Sequence, residues 1–142
     1  RDIYELPLSF QNQEVDRFII KRLFNEDKSA NLVEWENLVD KLKHPHKEIT
    51  IGIAGKYTHL EDCYISVVEA IKHAGAFYHT KVNIERIDTE EFQDENWEVK
   101  FATLLQQKNI RGIIIPGGFG YRGVEGMVNI ASFCQNKKIP FL

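Results

Sequence analysis

Cysteine is scarce in this chain. Charge of one sign, ligand-spaced histidine and long apolar runs are missing from it. The two cysteines, Cys63 and Cys134, stand far apart, and neither belongs to a CxxC pair or a His/Cys cluster. That removes a zinc signature. A disulfide between them is open but not suggested; both are expected to be buried thiols of a cytoplasmic protein. His59, His73 and His79 share no metal-ligand spacing and are read as surface histidines. Net charge is −3, which argues against a dedicated nucleic-acid binder. No apolar run approaches the roughly 18–20 residues of a membrane span. The opening Arg1-Asp2-Ile3-Tyr4-Glu5 is charged and mixed, unlike a signal peptide. Internal repeats and low-complexity stretches are also missing.

What is present is ordinary globular composition. Of 142 residues, 43% are hydrophobic and 27% charged, enough for about one domain with a sizeable core. The chain opens on an arginine and stops at Ile139-Pro140-Phe141-Leu142, which reads as a core strand in mid-course. Both features lead us to expect a piece of something longer.

Residues 1–46 read as helical. Val15, Phe18, Ile19 and Leu23 fall on one face of a helix, and Leu32, Trp35, Leu38, Val39 and Leu42 repeat the pattern. Asn31 is the expected N-cap, with Glu34 three residues on as in a capping box. Asn25-Glu26-Asp27-Lys28-Ser29 is a polar loop. Pro45 ends the second helix, and a boundary is placed there. From residue 47 onward the pattern is β-α-β-α-β-α-β. Strands are expected over 48–54, 81–87, 112–115 and 138–142, the second with Val82, Ile84 and Arg86 on one face. Helices are expected over 62–74, 95–107 and 123–135. Gly75 is read as the residue that closes the first of these helices, and Asp62 as the one that caps or opens it. This order implies a parallel α/β sheet with flanking helices.

In open parallel sheets, ligands bind beyond the carboxyl ends of the strands. Gly55-Lys56-Tyr57 occupies that edge after the first strand. It offers an ammonium and a phenol there, or else forms a turn with a solvated lysine. Residues 116–126 occupy it after the third strand, with Gly117, Gly118, Gly120, Gly123 and Gly126 among the nine glycines of the chain. A Gly-Gly pair after a buried strand can turn amide N–H groups toward one point and stabilise an oxyanion; the plainer reading is a flexible βα loop. The string is neither a P-loop nor a dinucleotide fingerprint. Arg122 and Glu125 can pair as solvated helix charges, or the helix start can bind an anion or a base.

Together these stretches resemble the CTP synthase family, specifically its glutamine amidotransferase half. Ile51-Gly52-Ile53-Ala54-Gly55-Lys56-Tyr57 with Asp62-Cys63-Tyr64-Ile65-Ser66-Val67 is similar to the opening of that half. Glu69-Ala70-Ile71-Lys72-His73-Ala74-Gly75 is similar to its first helix. Residues 115–126, Ile-Pro-Gly-Gly-Phe-Gly-Tyr-Arg-Gly-Val-Glu-Gly, match its glycine loop almost residue for residue. Asn136-Lys137-Lys138-Ile139-Pro140-Phe141-Leu142 is similar to the run-up to its nucleophile. The stretch from Ile3 to Leu8 and the helices after it look like the end of the synthetase domain and the interdomain linker.

The resemblance implies a partial flavodoxin-like fold over 47–142, preceded by a helical linker segment over 1–46. It implies an enzyme that aminates UTP to CTP with ATP, Mg2+ and ammonia from L-glutamine, with GTP as activator, as a cytoplasmic homotetramer without nucleic-acid or membrane partners. Gly117 and Gly118 would shape one arm of the oxyanion hole, and Phe119 and Gly120 would line the glutamine pocket. Tyr121, Arg122, Gly123 and Glu125 would form a GTP-responsive lid supported by Lys56 and Tyr57. No metal site or cofactor is expected on this segment. The family's nucleophile sits in an elbow directly after the stretch that Ile139-Pro140-Phe141-Leu142 resembles, so the resemblance implies a triad cysteine just past Leu142; Cys63 and Cys134 both fall inside expected helices, and Cys63 stands where the family often has a small buried alanine. Two rivals stand beside this reading: another flavodoxin-like or class I amidotransferase-like enzyme, and a non-catalytic α/β nucleotide-binding module.

Overall fold

The computed structural model describes residues 2–118 and 120–142, with Glu61 described by its backbone alone. The chain parts into two compact units between Pro45 and His46.

The first unit is helical. A 3₁₀ turn, Ile3–Glu5, leads into α1 (Leu6–Asn12), followed by α2 (Val15–Phe24) and α3 (Val33–Lys43). Asp2 and Glu5 cap each other's backbone at the start. Asp16 anchors the polar loop that follows α2: its Oδ2 accepts from Ser29 Oγ at 2.7 Å and from Ala30 N at 2.9 Å. Trp35 Nε1 donates to Tyr4 O at 2.7 Å. The capping box expected at Asn31 and Glu34 does not form. Asn31 Oδ1 instead accepts from Val33 N at 3.2 Å, an Asx turn that delays the helix start to Val33, with Leu32 at the cap. The spaced face on α2 is real but uncovered, for Phe18 is 71% exposed and Leu23 68%.

The second unit is the α/β body. Its order is β1 (Lys47–Gly55), a 3₁₀ turn Glu61–Tyr64, α4 (Ile65–Phe77), β2 (Thr80–Asp88), a 3₁₀ turn Thr89–Phe92, α5 (Trp97–Gln107), β3 (Ile110–Ile114) and α6 (Val124–Lys137). The three strands are parallel in the order β2-β1-β3. Alternation along β1 sends Ile53 to one face and Ala54 to the other. Ile53 packs with Tyr64 and Ile71 on the α4 side. Ala54 packs with Ile87, Phe101, Ile113, Ile130 and Phe133 on the α5–α6 side. There Phe101 meets Phe92 and Phe133 edge-on, with centroids 5.4 and 5.3 Å away.

Four expectations are corrected here. Gly75 does not close its helix: α4 runs on to Phe77, and Gly75 is buried within it. Its missing side chain lets the helix lie on the start of β2, where a Cβ would stand 2.6 Å from Thr80 O. Asp62 caps no helix, because α4 starts after Tyr64 without a side-chain cap. Cys63 is exposed on the 3₁₀ turn, whereas Cys134 is buried in α6. Residues 138–142 form no regular strand. Phe141 makes a single parallel bridge to Ile113, with Leu142 N donating to Ile113 O at 3.1 Å and Ile113 N to Pro140 O at 2.9 Å. Lys138 is left-handed and Pro140 has no N–H for a ladder.

Candidate functional site

Parallel pairing in register brings three strand ends to one edge. Gly55 lies opposite Asp88, and Ile53 opposite Ile114. Lys56-Tyr57, Thr89-Glu90 and Ile115–Gly118 therefore leave the sheet side by side. Strand order reverses between β1 and β3, the crevice where open α/β sheets hold ligands.

Lys56 is the hub of this edge. It is 2% exposed, so it is not the solvated turn lysine. Its Nζ donates to Gly120 O in the glycine loop. Its backbone N–H and that of Tyr57 both donate to Tyr64 OH, at 3.1 and 3.2 Å. Tyr64 reaches that point because Gly55 has no side chain: a Cβ there would stand 2.3 Å from the phenol oxygen. A buried ammonium bonded to a loop carbonyl fixes that carbonyl in place.

Arg122 is held from three sides. Its Nη2 donates to Lys56 O at 3.1 Å. Its Nε lies 3.0 Å from Glu90 Oε1. Its guanidinium stands over the Tyr57 ring, 5.9 Å from the centroid. Two expectations change as a result. Arg122 pairs with Glu90, not Glu125, and it precedes the helix, which begins at Val124 behind a left-handed Gly123. The turn at Gly123 points the guanidinium back at β1, away from the helix face it would share with Glu125.

The remaining loop residues divide clearly. Gly118 lies beside Lys56 and Tyr57, where a Cβ would touch Lys56 Cδ at 3.4 Å; a Cβ on Gly117 would touch nothing within 4 Å. Gly120 is left-handed, with φ of 77°. Tyr121 is 97% exposed. Glu125 lies exposed in the first turn of α6. Phe119, expected in the glutamine pocket, lies outside the described residues.

Sequence reading missed the floor of the loop. Thr89 is wholly buried. Its carbonyl lies where a Gly126 Cβ would go, at 1.8 Å, and its hydroxyl 2.5 Å from a Gly123 Cβ. The signal was available: residues 88–90 follow a strand at the ligand-bearing edge, as the two glycine-containing segments do. His59 stands at the same edge, 3.2 Å from Asp88. Burial pushes the Cys134 thiol up to about 11, which keeps it an unreactive thiol at neutral pH. Among the described residues no group of His, Cys, Asp and Glu could hold a metal ion, and no helix is long and apolar enough to cross a membrane.

A parallel sheet with helices on both faces thus carries a lysine-anchored glycine loop at the β1–β3 crevice, the place where open α/β sheets hold ligands. Residues 59–142 match the family model Glutamine amidotransferase class-I, and the chain belongs to that family. Along its length it is similar to CTP synthases: 42% identical over 142 residues to that of Methanococcus maripaludis and 44% over 144 residues to that of Methanococcus aeolicus. All of this chain is covered in both cases, but it spans only 27% of either relative. Among solved structures it resembles the Trypanosoma brucei CTPS glutaminase domain with bound acivicin, with 32% identity and a TM-score of 0.58 over 66% of this chain and 34% of that one. The partial flavodoxin-like α/β expectation thus stands.

Proposed function

We propose that this chain is the segment of a CTP synthase that joins the synthetase domain to the glutaminase domain and builds half of the glutamine site. Residues 1–46 are read as the end of the synthetase domain and the linker, and residues 47–142 as the first half of the amidotransferase domain. The observation that carries the reading is the buried Lys56, whose ammonium anchors the Gly120 carbonyl beside the Gly117-Gly118 turn. Backbone N–H groups of that turn would face the oxyanion formed when glutamine is attacked. Tyr121, Arg122, Gly123 and Glu125 would act as the lid that answers GTP.

The whole enzyme would aminate UTP to CTP with ATP, Mg2+ and the ammonia released from L-glutamine, as a cytoplasmic homotetramer. The donors at the glycine loop are amides, an ammonium and a guanidinium. They suit carboxylate and phosphate oxygens, and among the described residues no group of His, Cys, Asp and Glu could hold a metal ion. ATP and Mg2+ would accordingly be held by other parts of the enzyme.

Lys56→Ala in the full-length enzyme tests the reading. Loss of the anchor should lower glutamine-dependent CTP formation about 10²-fold, the cost of an ångström-scale misplacement, while CTP formation from ammonium salts stays near its original rate. Equal loss with both nitrogen sources would overturn it.

A further inference from the structure

The turn that follows β2 has no part in the reading above, yet the glycine loop rests on it. Thr89 fills the space that Gly123 and Gly126 leave empty. The next residue, Glu90, turns its carboxylate to Arg122. Its Oε1 atom is closed off from solvent and accepts no hydrogen bond; Arg122 Nε stands 3.0 Å from it as an ion pair. A carboxylate oxygen shielded from water in this way relies on the cation beside it. Asp88 keeps the turn in shape by accepting from Glu90 N at 3.0 Å.

We infer that Glu90 is a positioning residue: it holds Arg122 by one edge so that the opposite edge of the guanidinium faces outward to take an anionic ligand. Nε and Nη2 are the contacts made inward, to Glu90 and to Lys56 O. The Arg122 side chain is still 60% exposed. A guanidinium presents its donors in a rigid plane, so fixing one edge fixes the direction of the other. Without the carboxylate, the backbone bond to Lys56 O and the Tyr57 ring would remain, and the charge attraction that draws the Nε side of the guanidinium inward would be lost. The bound anion would then have to order the side chain as well, which weakens its binding.

This inference rests on the proposal that Arg122 belongs to the GTP-responsive lid. The test is a GTP titration of glutamine-dependent CTP formation by the full-length enzyme, run on Glu90→Gln, Glu90→Asp and Arg122→Ala. Glu90→Gln should raise the GTP concentration for half-activation about fivefold, the scale of one partly exposed ion pair, with the plateau at saturating GTP within about twofold of the original. Glu90→Asp should recover part of the shift, and thermal midpoints of both should match the parent. An unshifted curve for Arg122→Ala would overturn the lid reading and this inference with it. A shifted Arg122→Ala curve beside an unshifted Glu90→Gln curve would overturn this inference alone. A lowered half-activation point in Glu90→Gln would also overturn it, since Glu90 would then compete with the ligand for Arg122.

Discussion

A methyl group added at Gly126 would land 1.8 Å from Thr89 O, and one added at Gly117 would meet nothing within 4 Å. Gly117 in the loop and Gly126 in the first turn of α6 therefore meet opposite surroundings. Gly126→Ala forces α6 off the Thr89 turn and should cost about 3 kcal/mol, the upper part of the overpacking range. Gly117→Ala should stay within about 1 kcal/mol of the parent. Urea unfolding of both variants checks the pair; equal stability would overturn the packing argument. Cys134 is the other residue with a defined energetic signature. Its ordinary thiol value is 9.0, and burial raises it to about 11. The folded state thus holds the proton longer than the unfolded chain. The stability this lends is complete below pH 9 and is lost as pH rises through about 11. Urea midpoints measured across that window should fall steeply for the parent and less steeply for Cys134→Ala.

Helix ends in the α/β body follow one device. The connections after α4, α5 and α6 contain His79, Asn109 and Lys138, each left-handed with φ of 49°, 49° and 56°. Asparagine tolerates that region; histidine and lysine hold it at a cost of about 1–2 kcal/mol. Lys138→Gly should therefore stabilise the chain by about 0.5–1 kcal/mol, after the extra backbone entropy of glycine is deducted, and thermal unfolding would show the gain. This device also explains why the helix stop assigned to Gly75 was misplaced. A glycine near a helix end can serve a turn or a close approach, and residue type alone does not separate the two. In the helical unit, the loop after α2 depends on the Asp16 carboxylate. Bonds from Ala30 N and Ser29 Oγ hold it below its ordinary value of 3.8. A depressed folded value contributes above the unfolded value and is lost as pH falls through the folded one. Protection of the Ala30 amide, relative to its intrinsic exchange rate, should thus fall as pH drops below the ordinary value of 3.8, and Asp16→Asn should show the lower protection already at neutral pH.

At the scale of the whole molecule, the 142-residue chain should release no ammonia from glutamine. Cys134 is shut in the core and Cys63 stands on the turn before α4, so neither thiol is placed to attack glutamine at the proposed oxyanion site. Ammonia above a buffer control from the purified chain would refute this. Much of the architecture was legible in advance, because β-branched and apolar runs mark β1 and β3, hydrophobic period marks α4, and the alternation of strands and helices implies a parallel sheet. The glycine loop and Lys56-Tyr57 were legible too, since both follow strands at the edge where ligands bind. Periodicity records which face of an element is apolar, and it says nothing about what covers that face. Hence α2 was read correctly as amphipathic, while the exposure of Phe18 and Leu23 was not foreseen. Partners across the edge were equally hidden. Arg122 has Glu125 three residues away in sequence, yet β1–β2 pairing brings Glu90 to its Nε. Lys56 could be solvated or buried until Gly120 O came within reach of its ammonium. Local residue order thus determined the elements and the glycine loop at the sheet edge. Tertiary structure decided the charge pairs and the floor beneath the loop, because parallel strand register sets residues side by side that sequence keeps far apart.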